Sequence, residues 1–318
     1  MEDTITHLIR RRLVAVGITL AAAAASLVVP QQVVQTLPTA RAAAVCSERA
    51  GGTQFYPGDN SSQAYNDPFY ASRSIDHYLQ DYVPQGLGVW SNWNGGTEDL
   101  FLVGLHHRDE NNHWSLIYGI SVSTGAFRGA AYLPTGAHMG AVKTYKNWLY
   151  IQQNTSMLRR YNLSSVRSSF ASAGIQPLGN GSEQTVSGVS FFDIDRGHLY
   201  GGKFNEDERD WMYRYTIGST GTLSKDTGWA RRQVPKKAQG LLVLKDTYIF
   251  SSSSGRNNHS NIYVMRRDYK KNFENTVYRC FEAPVLAEDL VGFGGVTYLN
   301  FEGGADYFRR EFSLDHRR

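Results

Sequence analysis

The chain of 318 residues contains only two cysteines, Cys46 and Cys280, so it can close one disulfide at most. After residue 44 it lacks any apolar run approaching the roughly 20 residues that a membrane span needs. The same region lacks the 3.6-residue periodicity of amphipathic helices, which leaves strands as its building material. Several chemical signatures are missing as well. There is no H-E-x-x-H, no G-x-S-x-G elbow, no phosphate loop and no dinucleotide fingerprint. Charge of one sign is scarce. The formal net charge is +4, and it falls to +2 once residues 1–44, with four Arg and two acids, are set aside. Bulk nucleic-acid binding needs a concentrated basic face, and no nucleic-acid partner is expected.

Residues 1–44 read as an export signal. Arg10, Arg11 and Arg12 form a basic n-region, an apolar stretch runs from Leu13, and Ala40-Arg41-Ala42 and Ala42-Ala43-Ala44 offer A-x-A cleavage sites. The order Arg10-Arg11-Arg12-Leu13-Val14 also fits twin-arginine export. The mature protein is therefore expected to be secreted, extracellular, monomeric and free of the membrane. In that compartment Cys46 and Cys280 read as a disulfide pair.

What is present after that is a repeated phrase. It opens at Gln85-Gly86-Leu87, Met139-Gly140-Ala141, Ser187-Gly188-Val189, Gln239-Gly240-Leu241 and Glu288-Asp289-Leu290, at intervals of 54, 48, 52 and 49 residues. Each phrase leads into three or four short strands rich in β-branched and aromatic residues. Lys146-Asn147, Asp195-Arg196-Gly197, Lys245-Asp246 and Gly294-Gly295 stand where tight hairpins need φ > 0. Ser123-Thr124-Gly125 and Ser219-Thr220-Gly221 mark the turn between third and fourth strands. A period near fifty with such units is the pattern of a β-propeller. The expectation is an all-β, five-bladed β-propeller spanning residues 83–318. An N-terminal arm, residues 45–82, would close it by supplying an outer strand at Thr53–Tyr56, with the disulfide pinning the arm.

In a blade, the inner strand starts and the second strand ends on the same face. That rule assembles a polar mouth from Gln85, His138, Ser187, Gln239 and Glu288 at strand starts, and His106, Asn154, Lys203, Arg256, Asn300 and Glu302 at strand ends and their loops. Polar groups around a wet axis can also simply satisfy one another. If the mouth is catalytic, Glu288 is the base and His138, Lys203 or Arg256 gives electrostatic support. His106 with His138 and Glu288 lacks metal-ligand spacing, and no metal site is expected. Glu206-Asp207-Glu208-Arg209-Asp210 could attract calcium, but the EF-hand ligand order is absent, and no cofactor is expected. Asp193 and Asp195 read as turn acids at the far end of an inner strand. Trp93, Trp114, Trp211 and Trp229 offer faces for sugar stacking.

Val83-Pro84-Gln85-Gly86-Leu87 and Ala238-Gln239-Gly240-Leu241 resemble the inner-strand starts of secreted bacterial β-propeller proteins, a likeness of architecture covering residues 83–314. The resemblance implies a ligand site on the channel axis. Members include lectins, lactonases, lyases and assembly modules, so it implies no single activity. Five-bladed glycosidases of the arabinanase type carry three acids on three inner strands; this chain has Gln85, His138 and Ser187 at its first three. The leading expectation is binding of an extracellular glycan, cell-envelope material or small molecule. A carbohydrate- or lactone-active enzyme and a protein-interaction module are the alternatives.

Overall fold

The computed structural model describes residues 65, 69–76, 81–109, 113–133, 137–253, 255, 257–271, 273–302 and 311–317. All lie within one compact unit, residues 40–318. The expected signal (1–44), Cys46, the strand at Thr53–Tyr56 and Arg256 fall outside the described residues.

The first strand is β1 (Phe69–Asp76), and the first blade follows as β2 (Tyr82–Trp90), β3 (Leu100–His107), β4 (Leu116–Ser121) and β5 (Phe127–Tyr132). The second contains β6 (Val142–Tyr145), β7 (Trp148–Asn154) and β8 (Met157–Asn162). Helix α1 (Leu163–Phe170) and the short strand β9 (Gln176–Pro177) come before its outer strand, β10 (Ser182–Thr185). The third is β11 (Phe191–Asp195), β12 (His198–Gly202), β13 (Trp211–Ile217), β14 (Leu223–Lys225) and β15 (Arg232–Gln233). The fourth is β16 (Ala238–Val243), β17 (Thr247–Ser252), β18 (Ser260–Arg266), the short helix α2 (Phe273–Thr276) and β19 (Val277–Ala283). The chain ends in β20 (Ala287–Phe293), β21 (Val296–Phe301) and β22 (Glu311–Arg317).

Within each sheet neighbouring strands are antiparallel, except that β9 pairs in parallel with β5. The all-β propeller is thus established, but the expected five-bladed ring closed by an arm strand at Thr53–Tyr56 needs correction. Four sheets are blades whose four principal strands come in sequence from their own stretch of chain. The remaining sheet is composite, in the order β1-β22-β21-β20. The physical reason is length. Only 30 residues follow Glu288, enough for three strands, so this last sheet cannot repeat the other four. The third strand expected at Tyr307–Leu314 is β22, beginning at Glu311.

Buried side chains cluster between adjacent sheets. Phe101, Tyr118 and Leu290 pack in one cluster, Trp90, Leu102 and Ile151 in a second, Phe191, Tyr248 and Phe250 in a third, and Tyr150, Phe192 and Leu199 in a fourth. Each fully buried Phe contributes about 1.5–3 kcal/mol of transfer free energy. The hairpin turns at Lys146, at Arg196-Gly197 and at Gly294-Gly295 have positive φ, as do Gly125 and Gly221 in the matching outer turns, whereas Lys245 and Asp246, also expected to, do not.

The phrase glycines explain how the inner strands crowd the axis. A Cβ on Gly86 would fall 2.4 Å from the Met139 carbonyl oxygen, and one on Gly240 would fall 2.7 Å from the Asp289 Cα. No larger residue fits between neighbouring blades there.

Helix α1 was not expected. Asn162 caps it, its Oδ1 accepting from Ser164 N at 2.9 Å, and Leu163, Val166 and Phe170 turn one side inward. Eight residues, five of them serine or arginine, are too few to raise a helical period in the sequence.

Candidate functional site

Three of the five phrases are β-bulges. Register shifts fall between Pro84 and Leu87 in β2, Ala238 and Gly240 in β16, and Ala287 and Leu290 in β20. A bulge puts an extra residue into one strand and re-aims its side chain. The residues so placed include Gln85, Gln239, Glu288 and Asp289, at the end of the axis where inner strands begin. Backbone strain gathers at the same end. Met139, Lys237 and Leu286, each just ahead of an inner strand, have φ of 67°, 56° and 64°. The left-handed region costs an ordinary residue about 1–2 kcal/mol, and such strain accumulates where a site is held in shape.

Glu288 stands at the centre of this mouth, only 2% exposed. Its Oε1 is buried without a hydrogen-bond partner. Its backbone carbonyl accepts from Ser251 Oγ, and the preceding amide, Ala287 N, donates to Ser260 Oγ at 2.9 Å. Burial, then the nearby Glu302 and Asp289 carboxylates, raise the Glu288 pKa well above the ordinary carboxylate range. Burial thus favours the protonated form, which can donate as well as accept.

On the adjacent β21, Asn300 is fully buried. Its Nδ2 donates to the Gln85 carbonyl at 2.8 Å, which fixes the amide and leaves Oδ1 without a partner. Glu302 is half-buried, tied through its amide to the Leu286 carbonyl at 2.9 Å. Gln85, Glu288, Asn300 and Glu302 are thus brought together where β2 meets β20 and β21. His106, buried on β3, stacks on the exposed His138 with ring centroids 5.0 Å apart.

The other expected site residues are bound into their own blades. Exposed Asn154 uses Oδ1 to accept from Ser156 N at 3.0 Å, a turn of its own making. Ser187 donates its amide to Tyr215 at 2.7 Å and accepts from Lys225 Nζ at 2.9 Å. Lys203 and Gln239 are half-buried, Lys203 lying against Gly188. Among the described residues no three of His, Cys, Asp and Glu cluster as metal ligands.

Deeper along the axis lies a set of charges missed in the sequence. Lys143 on β6 is 3% exposed. Its Nζ donates to the Leu87 carbonyl at 2.6 Å, the Leu290 carbonyl at 2.7 Å and Asp289 Oδ2 at 2.9 Å. An ammonium has three donors, and all are used. Asp289 Oδ2 also accepts from Leu87 N at 2.9 Å. Burial pushes the Asp289 carboxyl up to about 7 against the pull of Lys143. Asp193, taken from the sequence as a turn acid, is instead buried, with Oδ2 accepting from Val243 N at 2.7 Å across to the next blade. Burial raises it to about 6. Asp195 pairs with Arg267 at 2.7 Å. The only sequence hint of Lys143 was a lysine inside the apolar run Ala141-Val142-Lys143.

No family model matches the chain. No curated protein matches its sequence either. Similar solved structures are β-propeller proteins. Glutaminyl cyclase from Myxococcus xanthus aligns at 11% identity over 78% of this chain and 96% of its own, with a TM-score of 0.48. BamB from Moraxella catarrhalis aligns at 10% identity over 86% and 97%, TM-score 0.36. The WD40 domain of Toxoplasma gondii coronin aligns at 9% identity over 79% and 76%, TM-score 0.40. These values are low, and the β-propeller assignment rests on the sheets of this chain.

Proposed function

We propose that the protein is an exported β-propeller that binds a hydroxyl-rich extracellular ligand, a glycan or related cell-envelope material, at the mouth formed by Gln85, Glu288, Asn300 and Glu302. One observation carries this reading. Glu288 Oε1 and Asn300 Oδ1 are buried on neighbouring strands without hydrogen-bond partners. An unmade buried hydrogen bond costs about 1–3 kcal/mol, and a ligand hydroxyl that supplies it recovers that free energy on binding. A neutral Glu288 donating and an Asn300 oxygen accepting suit the two-way hydrogen bonding of hydroxyls. Trp114 is 45% exposed on the loop between β3 and β4, and Phe204 is 36% exposed after β12. Both lie on the mouth side, where aromatic faces stack on sugar rings.

Export is supported by the n-, h- and c-region order of residues 1–44. A Cys46–Cys280 bridge follows from that compartment.

A second reading, hydrolase or lyase chemistry on the same ligand class, is favoured by the raised Glu288 carboxyl beside Glu302. A carboxyl whose protonated form is favoured by burial is suited to general-acid catalysis. Glycan-array binding with product detection by mass spectrometry separates the two. A binder retains ligand in Glu288→Gln, since the amide also donates and accepts, and loses about ten-fold in affinity in Glu288→Leu, with no product. An enzyme forms product and loses turnover in Glu288→Gln. If the wild type retains no glycan, or Glu288→Leu binds as the wild type does, the proposal fails.

A further inference from the structure

At the opposite end of the axis, where the inner strands finish, a cavity of about 460 Å³ opens. Val89, Leu242, Val291 and Phe293 form an apolar part of its wall, which exposed Leu244 continues at the rim, and Ser91, Thr144 and Thr297 add hydroxyls. Its lining carries two charged side chains, Lys143 and Asp193. The volume falls within the range of small-molecule sites, which pair apolar walls with a few fixed polar groups.

The two charges have different standing. Lys143 has committed its three donors to Leu87, Leu290 and Asp289, so it offers nothing further to a ligand. Its charge is matched by Asp289 at 2.9 Å. The other acid at this end, Asp195, is matched by Arg267 at 2.7 Å. Asp193 is different. Its hydrogen-bond donors are neutral backbone amides, those of Val243 and Ile194. A carboxylate accepts at about four lone-pair positions, so two amides leave it with accepting capacity. It is 7% exposed, and it lines the cavity. The outcome is a cavity holding one carboxylate that makes no direct ion pair among the described residues, although the Lys143 charge acts on it. A buried carboxylate in that state attracts a cation strongly, because low-dielectric walls do little to screen it.

We infer that this cavity is a second ligand site, distinct from the Glu288 mouth, and that it takes a primary amine carried on an apolar body, with the ammonium seated on Asp193. The hydrocarbon part packs against Val89, Leu242, Val291 and Phe293. Fixed Lys143 repels a second cation from the deep side, so the ammonium approaches Asp193 from the open end. This inference does not depend on the glycan reading.

Isothermal titration of the purified protein at pH 8 with hexylamine, 1-hexanol and hexanoate tests it. The expected result is hexylammonium binding about ten-fold or more tighter than hexanol, the difference of one charge-assisted contact, and no competition by hexanoate. Asp193→Asn, which can still accept from Val243 N, should erase the preference for the amine over the alcohol. Val291→Phe narrows the wall without touching either charge and should weaken both probes. Glu288→Leu, at the other end, should leave amine binding unchanged. Equal affinity of the wild type for hexylamine and hexanol overturns the proposal, whether or not the variants fold. So does an amine preference that survives in Asp193→Asn, or amine binding that is lost in Glu288→Leu.

Discussion

The axis of this propeller carries two groups of buried polar residues that differ in one respect. Around Lys143 the donors and acceptors are matched: three donors meet three acceptors, and Asp289 receives both a lysine and a backbone amide. Around Glu288 they are not: Glu288 Oε1 and Asn300 Oδ1 find no partner, and strained backbone at Lys237 and Leu286 frames them. Both groups are equally hidden from solvent, so burial does not distinguish them. Satisfaction does. A matched buried network ties the blades together, whereas an unmatched one retains free energy that a ligand can recover.

The strongest way to break the comparison is at the matched group. Lys143→Met leaves Asp289 as an unpaired buried carboxyl and should destabilise the fold by about 3–5 kcal/mol in urea unfolding. Adding Asp289→Asn should recover much of that loss. By contrast, Glu288→Gln should change stability by less than about 1 kcal/mol, since the amide resembles the protonated carboxyl that burial favours. Gly240→Ala sits between these extremes. Its Cβ would press to 2.7 Å from the Asp289 Cα, and overpacking of this kind costs about 1–3 kcal/mol.

The pH dependence sharpens the same contrast. Glu288, Asp193 and Asp289 all have carboxyl pKa values raised by burial, Asp193 to about 6 and Asp289 to about 7. The folded state therefore holds protons that the unfolded chain releases near pH 4, and stability falls as pH rises from about 4 through 7. Glu98 is opposite in sign. Hydrogen bonds, first from Arg128, lower it to about 2, so its contribution is full above the ordinary glutamate range and is lost only on acidification below it. Melting temperatures measured between pH 5 and 8 should decline with pH, and Glu288→Gln should flatten that decline. A rise with pH over this range would contradict the assignment of these groups. A further small effect is expected at Lys237. Replacing it by glycine relieves a left-handed backbone and should stabilise the fold by about 1 kcal/mol.

Much of this architecture was readable because the phrase repeats. The strand bounds legible from apolar and aromatic content and flanking turn residues, Trp211–Ile217, Thr247–Ser252 and Val296–Phe301, are those of β13, β17 and β21. Gln85, Glu288, Asn300 and Glu302 could be gathered into one site from their positions at strand starts and ends alone. Lys143 could not, because its partner Asp289 lies 146 residues away and nothing local marks either as buried. Asp289 stands where the other phrases have glycine, but its reach to Leu87 on β2 appears only in the folded molecule. Asp193 was misjudged for the same reason, since its partner Val243 belongs to the next blade. The last sheet escaped because a repeat with too few residues does not reveal which segment joins it.

The most direct test of the account is a structure of the protein with a glycan retained on the array. The account predicts sugar hydroxyls within hydrogen-bond distance of Glu288 Oε1 and Asn300 Oδ1. A glycan seated elsewhere, with those two atoms still unpartnered, would contradict it.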